Sequence, residues 1–361
     1  MRNATITGWG KCMPPATLTN DDISTFLETD DEWITTRTGI RERRISHVSL
    51  EEMGYVSAQR ALAAADLPAD ALELIIFGTC SFDQQVPNTA SGVQKMLGAV
   101  NAGAMDVNTA CTSYLYGLTT AAAMISQGVV DNALVIGGEL ISPLMDWTDR
   151  GVAVLFGDGC AATVLQATDR NEGVRASKLG CYGEVREILL VHGMGQRYAN
   201  RGWVNGDTQW VFEGQEIFKR AVVGMSQACQ TVLERCGMTP DDVDLVVPHQ
   251  ANQRIIEAVI KRAGLSMDRC FVNVDRYGNM SAATVPVALV EALEEGRIAP
   301  GANVLLTGFG GGLTWSAQLL RWGERVVPLD ESHVELPPCE RSALEIVQGY
   351  LAAKQHSHEK G

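Results

Sequence analysis

The sequence predicts an α/β protein assembled from two similar halves, and two observations carry that expectation. Short apolar runs rich in branched residues alternate with amphipathic stretches, the pattern of strands linked through helices. The same runs recur at an offset of roughly 170 residues, which marks an internal duplication. The length of 361 residues agrees, because one compact core seldom serves a chain of that size.

In the first half the strand-like runs are Leu74-Ile75-Ile76-Phe77, Met105-Asp106-Val107 and Ala133-Leu134-Val135-Ile136. In the second half they are Leu245-Val246-Val247, Phe271-Val272-Asn273-Val274 and Val304-Leu305-Leu306. Ile75 then pairs with Val246, and Cys111 and Asn279 are expected at equivalent corners of the two halves. The first half takes residues 1–170 and the second 171–322, the division falling in the polar stretch Thr168-Asp169-Arg170-Asn171-Glu172-Gly173. Residues 173–210 are glycine-rich and read as a loop over the surface. Residues 323–361 read as an extension, in which Pro337-Pro338-Cys339-Glu340-Arg341-Ser342 opens a docked helix that ends in a frayed, His-rich tail.

Composition bounds the function. Hydrophobic residues make up 46% and charged residues 20%, as in ordinary globular proteins. A net charge of −14 argues against a nucleic-acid partner, so an anionic ligand must be met by a local basic patch. The nine cysteines form no CxxC pair and no metal spacing, and they read as reduced thiols in a cytoplasm. The first residues, MRNATITGWG, carry no apolar leader, and no run reaches the roughly 18 apolar residues that a membrane span needs.

Three side chains and a glycine run are candidates for chemistry. Cys111 lies between a strand-like run and the helix-like run that begins near Tyr114. At a helix N-terminus a thiol meets free N–H groups and the positive end of the dipole, which favour a thiolate nucleophile; the alternative is an inert buried cysteine. His249, in Pro248-His249-Gln250-Ala251-Asn252, ends a strand, where α/β folds place binding residues, and it can donate to a carbonyl oxygen gaining charge. Asn279 in Tyr277-Gly278-Asn279-Met280-Ser281 is either a third polar group of that site or a helix cap. The run Gly308-Phe309-Gly310-Gly311-Gly312-Leu313 lacks the spacing of a dinucleotide or phosphate loop, and it allows backbone to approach a ligand or a neighbouring element.

Thr109-Ala110-Cys111, Pro248-His249-Gln250-Ala251-Asn252, Tyr277-Gly278-Asn279-Met280-Ser281-Ala282-Ala283 and Phe309-Gly310-Gly311-Gly312-Leu313-Thr314-Trp315 are similar, in this order, to the signature segments of ketoacyl-acyl carrier protein synthase III. The segment Asp31-Glu32-Trp33-Ile34-Thr35-Thr36-Arg37 resembles that family's coenzyme A segment, and the likeness runs from about residue 1 to 322. The resemblance implies the thiolase fold, with duplicated halves in a five-layered αβαβα arrangement, and a homodimer. It implies decarboxylative Claisen condensation of an acyl-coenzyme A with malonyl-acyl carrier protein, with coenzyme A as a substrate carrier and neither a metal nor a redox cofactor.

Carried over to this chain, Cys111 becomes the acylated nucleophile, and the N–H groups of Cys111 and Gly311 form an oxyanion hole. His249 and Asn279 hold the malonyl thioester carbonyl as carbon dioxide leaves. Thr29, Trp33, Arg37, Arg150, Phe218, Ala251 and Asn252 become coenzyme A contacts, with Trp33 stacking and the arginines supplying charge. Lys219, Arg254, Lys261 and Arg262 become the basic positions for an acidic carrier protein, although a solvated helix face has the same spacing. Val86 and Cys80 are assigned to the acyl pocket. Valine stands at 86 where acetyl-preferring relatives carry an aromatic, which predicts longer or branched primers. Gln215 and Thr112-Ser113-Tyr114 also depart from the family pattern. The other readings are a head-to-head or specialised acyltransferase on the same acyl-cysteine, a cysteine hydrolase, and a lipid-binding scaffold that needs no cysteine.

Overall fold

The computed structural model describes residues 2–199 and 207–359. Two sheets share one plan. The first runs Asn3–Cys12, Gly159–Thr168, Asn132–Glu139, Leu74–Gly78, Gly103–Val107 in spatial order, with the last three strands parallel. The second runs Gly173–Cys181, Thr314–Arg321, Asn303–Gly310, Leu245–Pro248, and its outermost position is marked by a bridge from Val246 to Cys270. Leu74 and Leu245 open equivalent strands, as do Asn132 and Asn303, an offset of 171 in each case.

The continuous apolar runs follow from burial on both faces of each sheet. In the first sheet Ile76 and Val135 point inward to helices Ser113–Ser126 and Thr284–Glu294, which lie back to back between the sheets. Ile75, Phe77, Leu134 and Ile136 point outward to helices Leu50–Ala65 and Thr89–Leu97. Helices Gly214–Arg235 and Gln253–Ala263 cover the far face of the second sheet. The sequence of layers is therefore αβαβα. Two strand glycines let the middle helices seat closely. A Cβ on Gly137 would lie 2.6 Å from the Ala282 carbonyl, and one on Gly308 would lie 2.8 Å from Leu115 Cδ1.

The two strand-to-helix corners match, but three residues away from the expected register. The 3-10 turns Ala110–Thr112 and Ser281–Ala283 both open on a non-glycine residue in left-handed backbone, φ 50° at Ala110 and 47° at Ser281. Because that residue defines the corner, Cys111 is equivalent to Ala282, and Asn279 to Asn108. Two further expectations change. Phe271–Val274 makes no strand, because the chain turns at Val274 into the short helix Val274–Tyr277. The segment read as a loop holds the strand Gly173–Cys181 and a hairpin of Leu189–His192 with Gln209–Phe212, while its residues 200–206 lie outside the described residues.

The C-terminal extension wraps back over the first half. Leu329 donates its N–H to the Ala64 carbonyl (3.1 Å), Arg60 pairs with Glu335 (2.7 Å), and His47 Nε2 meets the Pro337 carbonyl (2.7 Å). Ser342 and Glu345 then form the reciprocal cap of helix Ala343–Glu359, which continues through the stretch read as frayed; the last two residues lie outside the described residues. Ala343, Ile346 and Val347 are buried beside Met145, Trp147, Val154 and Phe156, and Lys354 pairs with Asp146 at 2.9 Å. Two buried aliphatic side chains are worth about 3–6 kcal/mol, so a chain ending at residue 339 is expected to lose about that much stability. Urea unfolding followed by tryptophan fluorescence measures it, and an unchanged midpoint would show that the helix docks without stabilising.

Candidate active site

The first site residue stands in the turn between strand Gly103–Val107 and helix Ser113–Ser126, where the chain enters left-handed backbone at Ala110 just before Cys111. Behind the cysteine lies Gly310, where an added Cβ would come within 2.7 Å of the Cys111 nitrogen. Glycine is what lets the final hairpin press against this corner, and Gly311 follows it as the next backbone N–H.

His249 extends strand Leu245–Pro248 by one residue, its N–H donating to the Thr307 carbonyl at 2.8 Å. Its imidazole is buried, and Nδ1 lies 2.5 Å from Thr284 Oγ1. The threonine hydroxyl has a second neighbour, the Ser281 carbonyl at 3.0 Å, and one proton to give. Given to Nδ1 across the shorter contact, that proton leaves Nε2–H free as a donor to a ligand. Burial pushes the His249 pKa down to about 3, so the ring is neutral in ordinary buffers.

Asn279 follows the helix Val274–Tyr277 rather than a strand. Its N–H donates to the Leu155 carbonyl (2.8 Å), and its own carbonyl accepts from the Gly157 N–H (3.1 Å), which fixes it to the first half of the chain. Its side-chain Oδ1 accepts from the Ser281 N–H at 2.8 Å, which turns the carboxamide N–H₂ into the open space.

Cys111, His249 and Asn279 all line one cavity of about 800 Å³. Its walls are largely apolar, with Leu155, Phe156, Leu189, Phe212, Ile217 and Met225 among them, and its lining also includes Arg37, Lys219 and Arg254. Those three cations are exposed, which gives an acidic protein a basic mouth. Phe218, Ala251, Asn252 and Gln215 line it as well. Arg37 and Arg150 both lie over the Trp33 ring, at 4.4 and 4.7 Å from its centroid, and Asn252 Nδ2 donates to the Arg37 carbonyl at 3.0 Å.

Other candidates stand apart. Thr29 is not among the lining residues, and its hydroxyl is buried without a partner among the described residues. Lys261 and Arg262 lie roughly two turns along helix Gln253–Ala263 from Arg254, exposed but outside the cavity. Val86 does not reach the cavity of its own chain, because it sits on a projecting loop and is 84% exposed. Cys80 lies behind the site rather than in its lining, its sulfur 3.3 Å from Glu139 Oε1 and 3.8 Å from Ser281 Oγ.

The thiolate expected of Cys111 from its place before a helix is not held at rest. Burial pushes the thiol up to about 12, with Glu139 acting in the same direction and the Ser281 hydroxyl against it. Desolvation outweighs the helix end, so the proton must leave as the sulfur attacks. Glu139 itself escaped the sequence reading, as did Ser281 and Thr284. The apolar wall at Leu189 was hidden in the segment read as a loop, and Phe212 lies just beyond it.

Comparison with known proteins gives the chain its family. Residues 105–183 match the family described as 3-Oxoacyl-[acyl-carrier-protein (ACP)] synthase III, and residues 233–322 match its C-terminal part. The chain is 49% identical to Beta-ketoacyl-[acyl-carrier-protein] synthase III 2 of Vibrio cholerae over 99% of both chains. It is 45% identical to Beta-ketoacyl-[acyl-carrier-protein] synthase III of Roseiflexus castenholzii, over 88% of this chain and 98% of the relative. Among solved structures, 3-oxoacyl-[acyl-carrier-protein] synthase III from Aquifex aeolicus superposes with a TM-score of 0.82 at 40% identity, over 88% of this chain and 100% of the other.

Proposed function

This chain belongs to the 3-oxoacyl-[acyl-carrier-protein] synthase III family, and from that premise we propose that Cys111, His249 and Asn279 perform its condensation of an acyl-coenzyme A with a malonyl-acyl carrier protein. The observation that carries the assignment is their convergence, from three separate segments, on one largely apolar cavity with a basic mouth.

In the first step the Cys111 sulfur attacks the acyl thioester, its proton passes to the leaving coenzyme A sulfur, and the N–H groups of Cys111 and Gly311 stabilise the tetrahedral oxyanion. In the second, malonyl-acyl carrier protein enters the emptied channel. Loss of carbon dioxide leaves negative charge on the thioester oxygen, where His249 Nε2–H and Asn279 Nδ2–H donate without carrying charge themselves. The resulting carbanion attacks the acyl-cysteine carbonyl, the C–S bond breaks, the cysteine sulfur takes up one proton from solvent to return to the thiol, and a 3-oxoacyl-acyl carrier protein leaves. Arg37 and Arg150 beside Trp33 suit the phosphates and adenine of coenzyme A, and Lys219 and Arg254 suit an acidic carrier protein. Glu139 accepts hydrogen bonds behind the cavity and is not among its lining residues, so it is not placed as a base in contact with substrate.

Medium-chain or branched primers fit this reading if a second copy in a homodimer brings its Val86 to the end of the acyl channel. The nine cysteines are free, which suits a reducing cytoplasm. The test is intact-protein mass spectrometry after mixing with a panel of acyl-coenzyme A thioesters, followed by labelled malonyl-acyl carrier protein. Acyl mass on Cys111 and release of labelled carbon dioxide are expected. Acylation without carbon dioxide release would favour another acceptor, and an acetyl optimum with octanoyl excluded would end the proposal on chain length.

A further inference from the structure

Glu139 ends the strand Asn132–Glu139, is fully buried, and ties the two halves of the chain together. From the first half its carboxylate accepts from Thr79 Oγ1 (3.1 Å), the Cys80 N–H (3.1 Å), Cys80 Sγ (3.3 Å) and Ser81 Oγ. From the second half it accepts from Ser281 Oγ (2.9 Å) and the Ala282 N–H (3.4 Å). These bonds satisfy a charge that would otherwise be costly to bury.

What Glu139 grips is the residue that aims one polar donor of the site and borders the threonine that faces the other. The Ser281 N–H orients the Asn279 carboxamide (2.8 Å), and the Ser281 carbonyl meets the Thr284 hydroxyl (3.0 Å) that faces His249 Nδ1 (2.5 Å). Ser281 adopts φ 47°, a left-handed conformation unfavourable for a residue with a Cβ. The duplicated half supplies an internal control. At the offset of 171, Ala110 takes the place of Ser281 and Gly310 that of Glu139, and Ala110 holds φ 50° with no carboxylate behind it. The corner therefore forms without the acid. The Glu139–Ser281 pair is a feature of the donor-bearing corner alone.

Resting on the reading of His249 and Asn279 above, we propose that Glu139 is a positioning residue for the decarboxylation half of the reaction, acting through Ser281 on the aim of the Asn279 carboxamide. The experiment compares wild type, Glu139→Gln and Ser281→Ala in two separate assays. One is the rate at which acyl-coenzyme A loads Cys111, followed by intact mass; the other is the release of labelled carbon dioxide from malonyl-acyl carrier protein. Carbon dioxide release is expected to fall roughly 10- to 100-fold, and by at least about tenfold more than loading, because a small misplacement of donors costs that much. Adding one substitution to the other should cost little more, since both break one unit. Should Glu139→Gln fail to fold, Ser281→Ala carries the test, as alanine is the residue the duplicated corner already uses. Parallel losses in both assays, or no loss in Ser281→Ala, overturn the proposal. Wild type that releases no carbon dioxide would instead overturn the assignment of the condensation itself.

Discussion

Cys111→Ala is expected to remove acyl loading altogether and to lower condensation by roughly 10⁴-fold or more, the scale on which loss of a nucleophile acts. The reason is that the other eight cysteines cannot substitute. Cys80 is turned toward Glu139 and lies outside the cavity lining, so it offers no access to substrate. Intact mass after incubation with acyl-coenzyme A reads the first effect, and the appearance of 3-oxoacyl product reads the second. Carbon dioxide should still be released from malonyl-acyl carrier protein by this variant, because His249 and Asn279 stay in place. An acyl adduct of unchanged yield on the variant would show that the nucleophile is elsewhere.

His249→Ala and Asn279→Ala are each expected to slow carbon dioxide release by roughly 100- to 1000-fold, as removal of one preorganised donor does. Loading of Cys111 is expected to suffer less, since neither side chain is needed for sulfur to attack. The pH dependence separates a neutral donor from a charged one. With its pKa pushed down to about 3, His249 stays uncharged as pH falls through 6.5, so no limb of the decarboxylation profile should appear near that value. Stability should respond instead. The unfolded chain takes up a proton near 6.5 that the folded chain refuses, so this residue's contribution is full above about 6.5 and is lost toward pH 3, by roughly 1.4 kcal/mol per pH unit. Denaturant midpoints measured from pH 7 to 4 should fall less steeply in His249→Ala. A profile with a limb at 6.5 would mean that the imidazole titrates in the free enzyme.

The duplication and the cysteine corner were legible in the sequence because both leave local marks. Strands buried on two faces, such as Leu74–Gly78 and Leu245–Pro248, write themselves as unbroken apolar runs, and a repeat of such runs fixes the offset. Hairpin Leu189–His192 with Gln209–Phe212 leaves no such mark, since its strands are short, half-buried and far apart in sequence. Glu139 was hidden for a different reason. A carboxylate at the end of an apolar strand reads as the edge of the core, and only the donors converging from Thr79–Ser81 and Ser281–Ala282 reveal it as the middle. The thiol of Cys111 shows two local rules in conflict, a helix end that favours its anion and a burial that opposes it, and the balance depends on tertiary packing.

The lashing of helix Ala343–Glu359 to Met145, Trp147 and Phe156 has a consequence for how a bound chain is sensed at a distance. One aromatic ring, Phe156, belongs both to the chamber lining and to the cluster that seats this helix. A substrate tail that presses on that ring loads the helix's seat, and a helix that loosens softens the wall in return.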